Sequence, residues 1–447
     1  MSERPDQATG LARTIGPLGL GASVINVTIG SSIFVFPATV AGDLGAAGIL
    51  AYQIAAFAMG LIALCFAESG TRVPATGGTY AYVETAFGPF AAWVIGLLMY
   101  VGVQLIASAV VASVFVRSLS ALVPGIGSGL PRALLILAMY VAFATINVRG
   151  GARLGARVVE GVTLAKLAPL VLLVVVGLTA FRPEFVRWDG LPPAADLGRI
   201  AMRLLYLFAG MEAVLAVSGE LRDPSRTIPR GALGGLAVAT AIYLGVQFAA
   251  QGLLGPALPA HDRAPLADAA AVVLGSTGRN LLLLGTVIST MGFLSADLLT
   301  SPRTLFAMAA AGRLPRPLAA VNRRFGSPAV AIVVHAALAA MLAIQADFDT
   351  LTALASSALL LIYFVSALGL IVLQRRKVGE EKLAFRLPAG PLIPVAATAL
   401  VVALMTTLAW REILAVLIVV ALAAITYIAS KVRRDSSQTE SSAIRSQ

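Results

Sequence analysis

This chain is short of charge. Asp, Glu, Lys and Arg make up only 12% of its 447 residues, against about 25% in an ordinary soluble domain. That shortage, with 58% hydrophobic residues, excludes a soluble globular protein. Cysteine is nearly absent: Cys65 is the only one, which excludes an intrachain disulfide and any multi-cysteine metal site, and it reads as a small packed hydrophobe. Two histidines are too few for a conventional His-rich metal centre. There is no Gly-x-x-x-x-Gly-Lys-Ser/Thr loop for a nucleoside triphosphate and no His-Glu-x-x-His or Cys-x-x-Cys pair. No nucleophile with an adjacent base is recognisable, which argues against a membrane enzyme. Nothing in the chain calls for a cofactor. Residues Met1 to Thr14 are polar and lack the apolar centre of a cleavable signal peptide.

Long apolar runs are what the chain has instead. A bilayer crossing takes about 20 apolar residues, and twelve candidate segments lie near 18–41, 46–68, 89–116, 133–148, 158–181, 200–219, 231–254, 280–302, 328–346, 350–373, 391–409 and 412–430. The expected fold is all-α and polytopic, a single membrane domain of twelve transmembrane helices. No soluble domain is large enough to carry separate chemistry or the output of a sensor. The net charge of +11 would suit nucleic acid if it were clustered, but it is sorted by loop. With both termini on one side, that side carries 23 Lys and Arg and the other 8, with Lys166 and Arg203 inside segments. This positive-inside bias places both termini in the cytoplasm, excludes a nucleic-acid partner and implies a multi-pass protein of the cell membrane. The segment after Lys431, rich in Ser, Gln and Thr, reads as a short disordered tail.

The first segment is broken. Between Leu18 and Ala41 the run reads Thr28-Ile29-Gly30-Ser31-Ser32-Ile33-Phe34, with Pro37 following. Irregular backbone at membrane depth survives only against protein or a wet cavity, so this stretch reads either as an unwound helix offering amides and carbonyls to a ligand or as a Gly-Ser face for close packing. The sixth segment repeats the signal in Tyr206-Leu207-Phe208-Ala209-Gly210-Met211-Glu212. Paired breaks in segments one and six fit a five-plus-five inverted repeat followed by two extra helices. The expected divisions are a tail over 1–17, a first repeat over 18–181, a second over 182–376, two further helices over 377–430 and a tail over 431–447.

Five motif regions then carry a resemblance. They are Ile29 to Phe34 with Pro37; Ala67-Glu68-Ser69-Gly70, Pro74 to Tyr82 and Phe87-Gly88; Glu220, Asp223-Pro224, Arg226 and Ile228-Pro229-Arg230; Ser301-Pro302-Arg303, Ala307-Met308-Ala309 and Gly312 to Pro315; and Phe385-Arg386-Leu387-Pro388. In this order and spacing, spread over most of the chain, they resemble the amino acid–polyamine–organocation superfamily of transporters. The resemblance implies secondary transport of amino acids by alternating access between a core bundle and a scaffold. A transporter or exporter of polyamines or other organocations is the runner-up, which would want several acids in its pocket.

An amino acid zwitterion carries two charges into low dielectric, and each must be paired or hydrogen-bonded. Amides of Ser31, Ser32 and Ile33 at a half-helix start suit its carboxylate. Carbonyls of Thr28 and Ile29, and of Tyr206 and Ala209 across the gap, suit its ammonium, and Gly30 and Gly210 supply the breaks. These positions match the contacts that the resemblance implies. Ser32 stands where that family most often has Gly, which narrows the pocket and favours a small substrate. Tyr206 and Phe208 are candidates for an aromatic lid or for bundle packing.

Ionisable residues inside spans are costly and default to functional candidates. Lys166 lies roughly 14 Å into its helix at 1.5 Å rise per residue. It either snorkels or, as the resemblance implies, stands where sodium-coupled relatives bind a cation, so that proton coupling or uncoupled exchange is expected rather than sodium coupling. Asp297 binds a cationic substrate group, pairs with Lys166 or caps a polar network. Glu212 matches an acid implied to act in gating or proton sensing. Arg199 and Arg203 read as snorkelling to the outer interface, and His335 as a packed, hydrogen-bonded histidine rather than a proton relay. The expected partners are a small amino acid, a proton and the lipid bilayer; the oligomeric state is left open.

Overall fold

The computed structural model describes residues 16–73, 78–150, 167–188, 190–210, 223–383 and 385–445. Their backbone is helical almost throughout: α1 (Pro17–Thr28), α2 (Phe36–Leu44), α3 (Ile49–Arg72), α4 (Thr79–Phe87), α5 (Pro89–Leu122), α6 (Gly129–Gly150), α7 (Leu167–Ala180), α8 (Ala194–Phe208), α9 (Pro224–Leu254), α10 (Pro265–Ala310), α11 (Ala329–Gln345), α12 (Phe348–Arg375), α13 (Leu392–Met405) and α14 (Trp410–Arg445). The only pairing of extended backbone among the described residues is an isolated bridge between Asn322 and Ser327. Among the described residues, seven helical runs are long and apolar enough to cross a bilayer, and α1, α7, α11 and α13 are shorter apolar helices. Every one of the twelve predicted segments falls mainly on helix where it is described.

The first break is real in the backbone. α1 ends at Thr28, Ile29 and Gly30 leave the helix, a single 3₁₀ turn spans Ser31–Phe34, and α2 starts at Phe36 with Pro37 in its first turn. Proline suits that place because its missing N–H would have no partner there. The second break follows Phe208, where Ala209 is extended (ψ 153°) and Gly210 turns to φ +100°. Only glycine enters that region freely, and a Cβ at Gly210 would fall on the Val27 side chain.

Three features depart from the sequence reading. α4 is a short helix that no apolar run announced. α5 contains a π-turn over Leu98–Leu105, which widens the helix by one residue. The final helix continues to Arg445, where a disordered end after Lys431 was expected; no Gly or Pro interrupts 410–445, and Ser, Gln and Glu cost a helix only a few tenths of a kcal/mol each, about 0.7 at most.

Two contacts fix the frame. α1 lies against α9 so closely that a Cβ at Gly235 would stand 2.8 Å from the Gly21 carbonyl oxygen, the close approach that small residues permit in membranes. At the end of α3, Glu68 is wholly buried. Its carboxylate accepts from Arg72 Nε at 2.6 Å, Gln374 Nε2 at 3.1 Å and the Leu387 amide at 2.8 Å. Arg72 also donates to the Val378 carbonyl, and Thr71 to that of Phe385. Two of the five motif regions, Ala67–Gly70 and Phe385–Pro388, are thereby one unit that ties α3 to the connection between α12 and α13.

Candidate functional site

Both breaks open onto one cavity of about 400 Å³. α1 and its 3₁₀ turn contribute Thr28, Gly30, Ser31 and Ser32, and α8 contributes Tyr206, Ala209 and Gly210. α5 supplies Val103 and Gln104 from its π-turn, and α10 supplies Ser289, Phe293, Asp297 and Thr300. Eight of the predicted residues are thus brought together. Ile29, Ile33 and Phe208 do not line the cavity: all three are fully buried in the core, and Phe208 packs edge-on against Tyr243 with ring centroids 5.2 Å apart. Of the two roles open for Phe208, packing is the one observed. Lys166 and Glu212 lie outside the described residues.

The cavity wall is polar where the helices break. The 3₁₀ turn begins at Ser31, and the first amides of a helical turn have no carbonyl ahead of them to bond. Thr28 Oγ1, Ser31 Oγ and Gln104 Oε1 are buried, border the cavity and have no hydrogen-bond partner. The Ser32 side chain is hydrogen-bonded to Tyr206, which links the two breaks across the gap.

The carbonyls are less free than the sequence suggested. The Thr28 carbonyl accepts from the Gly30 amide at 2.8 Å and from the Tyr243 hydroxyl at 2.6 Å, which occupies both of its lone pairs. Thr28 therefore offers its hydroxyl to the cavity, not its carbonyl. The same Tyr243 hydroxyl lies 2.8 Å from the Leu207 carbonyl, so one phenol on α9 holds the backbone beside each break. The Tyr206 carbonyl accepts from the Ala209 amide at 3.3 Å.

Asp297 is 7% exposed at the cavity wall. Its Oδ1 accepts from Ser301 Oγ at 2.6 Å, and its Oδ2 lies 3.2 Å from His335 Nε2. Asp297 thus takes part in a polar network with Ser301 and His335, and Lys166, its alternative partner, lies outside the described residues. His335 is hydrogen-bonded, as expected, through both ring nitrogens: Nδ1 lies 3.1 Å from the Tyr100 hydroxyl.

Toward one end the cavity walls run through Asn26 on α1 and Thr300 and Thr304 on α10, the end where α10 meets the Arg313–Arg324 loop. The opposite end is sealed. Phe36 and Phe348 are buried in edge-to-face contact at 5.4 Å, and the Arg117 guanidinium lies 5.3 Å over the Phe348 ring. Thr39 reaches Asp349 at 3.3 Å and Arg203 reaches Asp43 at 3.7 Å. Arg199 pairs with Asp196 at the exposed start of α8. Beside this seal, Asp347 caps α12. Its partial burial would raise its pKa, but hydrogen bonds from the Thr350 amide and hydroxyl, with Arg117 nearby, bring it below the ordinary carboxylate value.

Comparison with known proteins decides the family, because residues 15–439 match the model of the amino acid permeases. The chain belongs to that family. It is an amino acid permease of the amino acid–polyamine–organocation superfamily, and a multi-pass membrane protein. The permease is similar to the serine/threonine exchanger SteT of Bacillus subtilis, with 30% identity over 87% of this chain and 90% of that one. It is also similar to the methylthioribose transporter of the same organism (29% identity, 86% of each chain). The branched-chain amino acid permease BcaP of Lactococcus lactis is 27% identical over 84% of this chain and 85% of its own length.

Sequence reasoning missed Gln104 and Tyr243. The rule applied to charged residues inside spans would have found Gln104, a lone amide in an apolar run, had it been extended to neutral polar groups. Tyr243 carries no such signal, since a tyrosine in a span is unremarkable until its hydroxyl is located.

Proposed function

We propose that this permease moves a small neutral amino acid across the cell membrane by alternating access, through proton-coupled symport or exchange. Its twelve spans would form a five-plus-five inverted repeat with two added helices, and both termini would be cytoplasmic. The observation that carries this reading is the set of unpartnered buried polar atoms at the first break. Thr28 Oγ1 and Ser31 Oγ stand beside the opening amides of the 3₁₀ turn, and a buried polar group without a partner costs about 1–3 kcal/mol. A substrate carboxylate settling on Ser31 and Ser32 would satisfy those amides and gain from the turn's dipole. The ammonium would take the second lone pairs of carbonyls at the α8 break.

The side-chain end of the cavity favours a small neutral substrate with a polar group. Gln104 and Ser289 offer hydrogen bonds there, while Val103, Val111 and Phe293 limit its size. The names of two relatives, a serine/threonine exchanger and a branched-chain amino acid permease, agree with a neutral zwitterion. An organocation would need free acids, and Asp297 already has both oxygens engaged by Ser301 and His335.

A thermal-shift screen of the detergent-purified protein against the common amino acids and polyamines tests this. A ligand at 100 times its Kd stabilises by about 2.7 kcal/mol, so serine, threonine or alanine should raise the midpoint. Stabilisation by arginine, lysine or putrescine only would overturn the neutral-substrate reading. Reconstituted protein that moves no amino acid under any imposed gradient would overturn transport itself.

A further inference from the structure

Behind the cavity wall runs a chain of titratable groups. Asp297 on α10 is joined to His335 on α11, and His335 to Tyr100 in the π-turn of α5. His335 has no exposed surface. A carboxylate at this depth is costly unless it is paired or fully hydrogen-bonded. Among the described residues, the only cationic partner within ion-pair distance of Asp297 is His335, when protonated. The other titratable groups facing the pair are phenols: Tyr100 on α5, Tyr140 on α6 and Tyr206 on α8. α11 adds no other acid or base, and on the same side Arg303 of α10 and Arg316 of the adjoining turn are exposed. Lys166 lies outside the described residues.

We propose that Asp297 and His335 together form a proton-binding site, with His335 taking up the proton and Asp297 transmitting the change in charge to the cavity wall. Without the proton, His335 Nε2–H donates to the Asp297 carboxylate, Nδ1 accepts from the Tyr100 hydroxyl, and the group carries one negative charge. With the proton, the pair is neutral overall. Nδ1–H then donates to the Tyr100 oxygen, so the Tyr100 hydroxyl must turn to another acceptor. Each proton taken up thus removes a charge beside the substrate and reverses one hydrogen bond on α5. That bond sits in the π-turn, a form of helix that recurs at functional sites, and the same π-turn presents Val103 and Gln104 to the cavity. Loading a proton and shaping the substrate wall are therefore one event. His335 acts through Asp297 and the π-turn, not by touching substrate.

This inference rests on the proton-coupled transport proposed above, and its test separates the two. The chain has only two histidines, and the second, His261, pairs with Asp268 near the Phe36–Phe348 seal. Protein labelled with ¹⁵N-histidine therefore gives two sets of ring signals, and His261→Gln assigns them without any substrate. The His335 ring should pass from the neutral form with Nε2–H to the doubly protonated form as the pH is lowered. Asp297→Asn should lower that midpoint by a unit or more, because it removes the charge that favours the imidazolium. Ser301→Ala, which takes a hydrogen bond from the carboxylate, should move it in the opposite direction to Asp297→Asn or leave it in place. A His335 ring whose protonation does not change between pH 4.5 and 9 overturns the proposal, and so does a midpoint indifferent to Asp297→Asn. In liposomes carrying L-serine, His335→Gln should cut accumulation driven by a pH gradient about tenfold while leaving equilibrium exchange within about twofold. Gradient-driven accumulation equal to wild type overturns the coupling role. If wild-type protein moves no amino acid, the transport proposal fails and the ¹⁵N titration still decides this one.

Discussion

Two buried polar clusters in this permease are built to opposite rules. At the end of α3 the Glu68 carboxylate has three donors, and its partner Arg72 is itself tied to the Val378 carbonyl. At the breaks, Thr28 Oγ1, Ser31 Oγ and Gln104 Oε1 have no partner, although they are as deeply placed. A polar network with every member satisfied rigidifies a fold, whereas one with spare donors and acceptors loses stability to them. Burial is the same in both regions. Gln374 Oε1 beside the anchor also has no partner, but the charged groups at its centre are fully met, and that separates a structural anchor from a surface that a ligand would complete.

The contrast can be broken by mutation. The largest effect is expected at the anchor: Glu68→Ala leaves Arg72 buried without its counter-ion, which costs about 3–5 kcal/mol, and should appear as a collapse of the thermal midpoint in detergent. Tyr243→Phe comes next. It strips the donor from the Leu207 carbonyl and should cost about 1–3 kcal/mol, with the loss visible in both stability and transport rate because both breaks share that phenol. Thr28→Val should behave in the opposite way to Glu68→Ala. It deletes an oxygen that has no partner, so the midpoint should hold or rise slightly while substrate affinity falls about tenfold, or about 1.4 kcal/mol. A Thr28→Val protein that loses stability without losing affinity would erase the distinction between the clusters.

The smallest effect sharpens the comparison at the Phe36–Phe348 seal. Asp347→Ala removes a helix cap and should cost about 1 kcal/mol at neutral pH. The folded pKa of Asp347 is depressed, so its contribution is full above the unfolded value of about 3.9 and disappears as pH falls through the folded one. Thermal midpoints of wild type and variant should therefore differ at pH 7 and converge toward pH 3.

The apolar helices and both breaks were legible in the sequence because each depends on residues close together along the chain. Gly30 and Gly210 announce their breaks locally, and proline at 37 marks where helix resumes. What stayed hidden depends on partners far apart. Glu68 and the Leu387 amide are 319 residues apart, and nothing in either motif says that they meet. Gln104, Tyr243 and the joining of Asp297 to His335 are of the same kind. Asp297 stood out by its charge, but its hydrogen-bonded network needed the position of His335 on a different helix. Phe208 was visible as an aromatic beside a break, yet which way it packs is a property of α9.

The Tyr243 hydroxyl has a single hydrogen and sits between two carbonyls, 2.6 Å from that of Thr28 and 2.8 Å from that of Leu207. It serves both only while they remain side by side. Any excursion that draws the two breaks apart must take the hydroxyl from one of them, so α9 is committed to one partner or the other for as long as the gap is open. A single atom thus keeps account of how far the two halves of the cavity have separated.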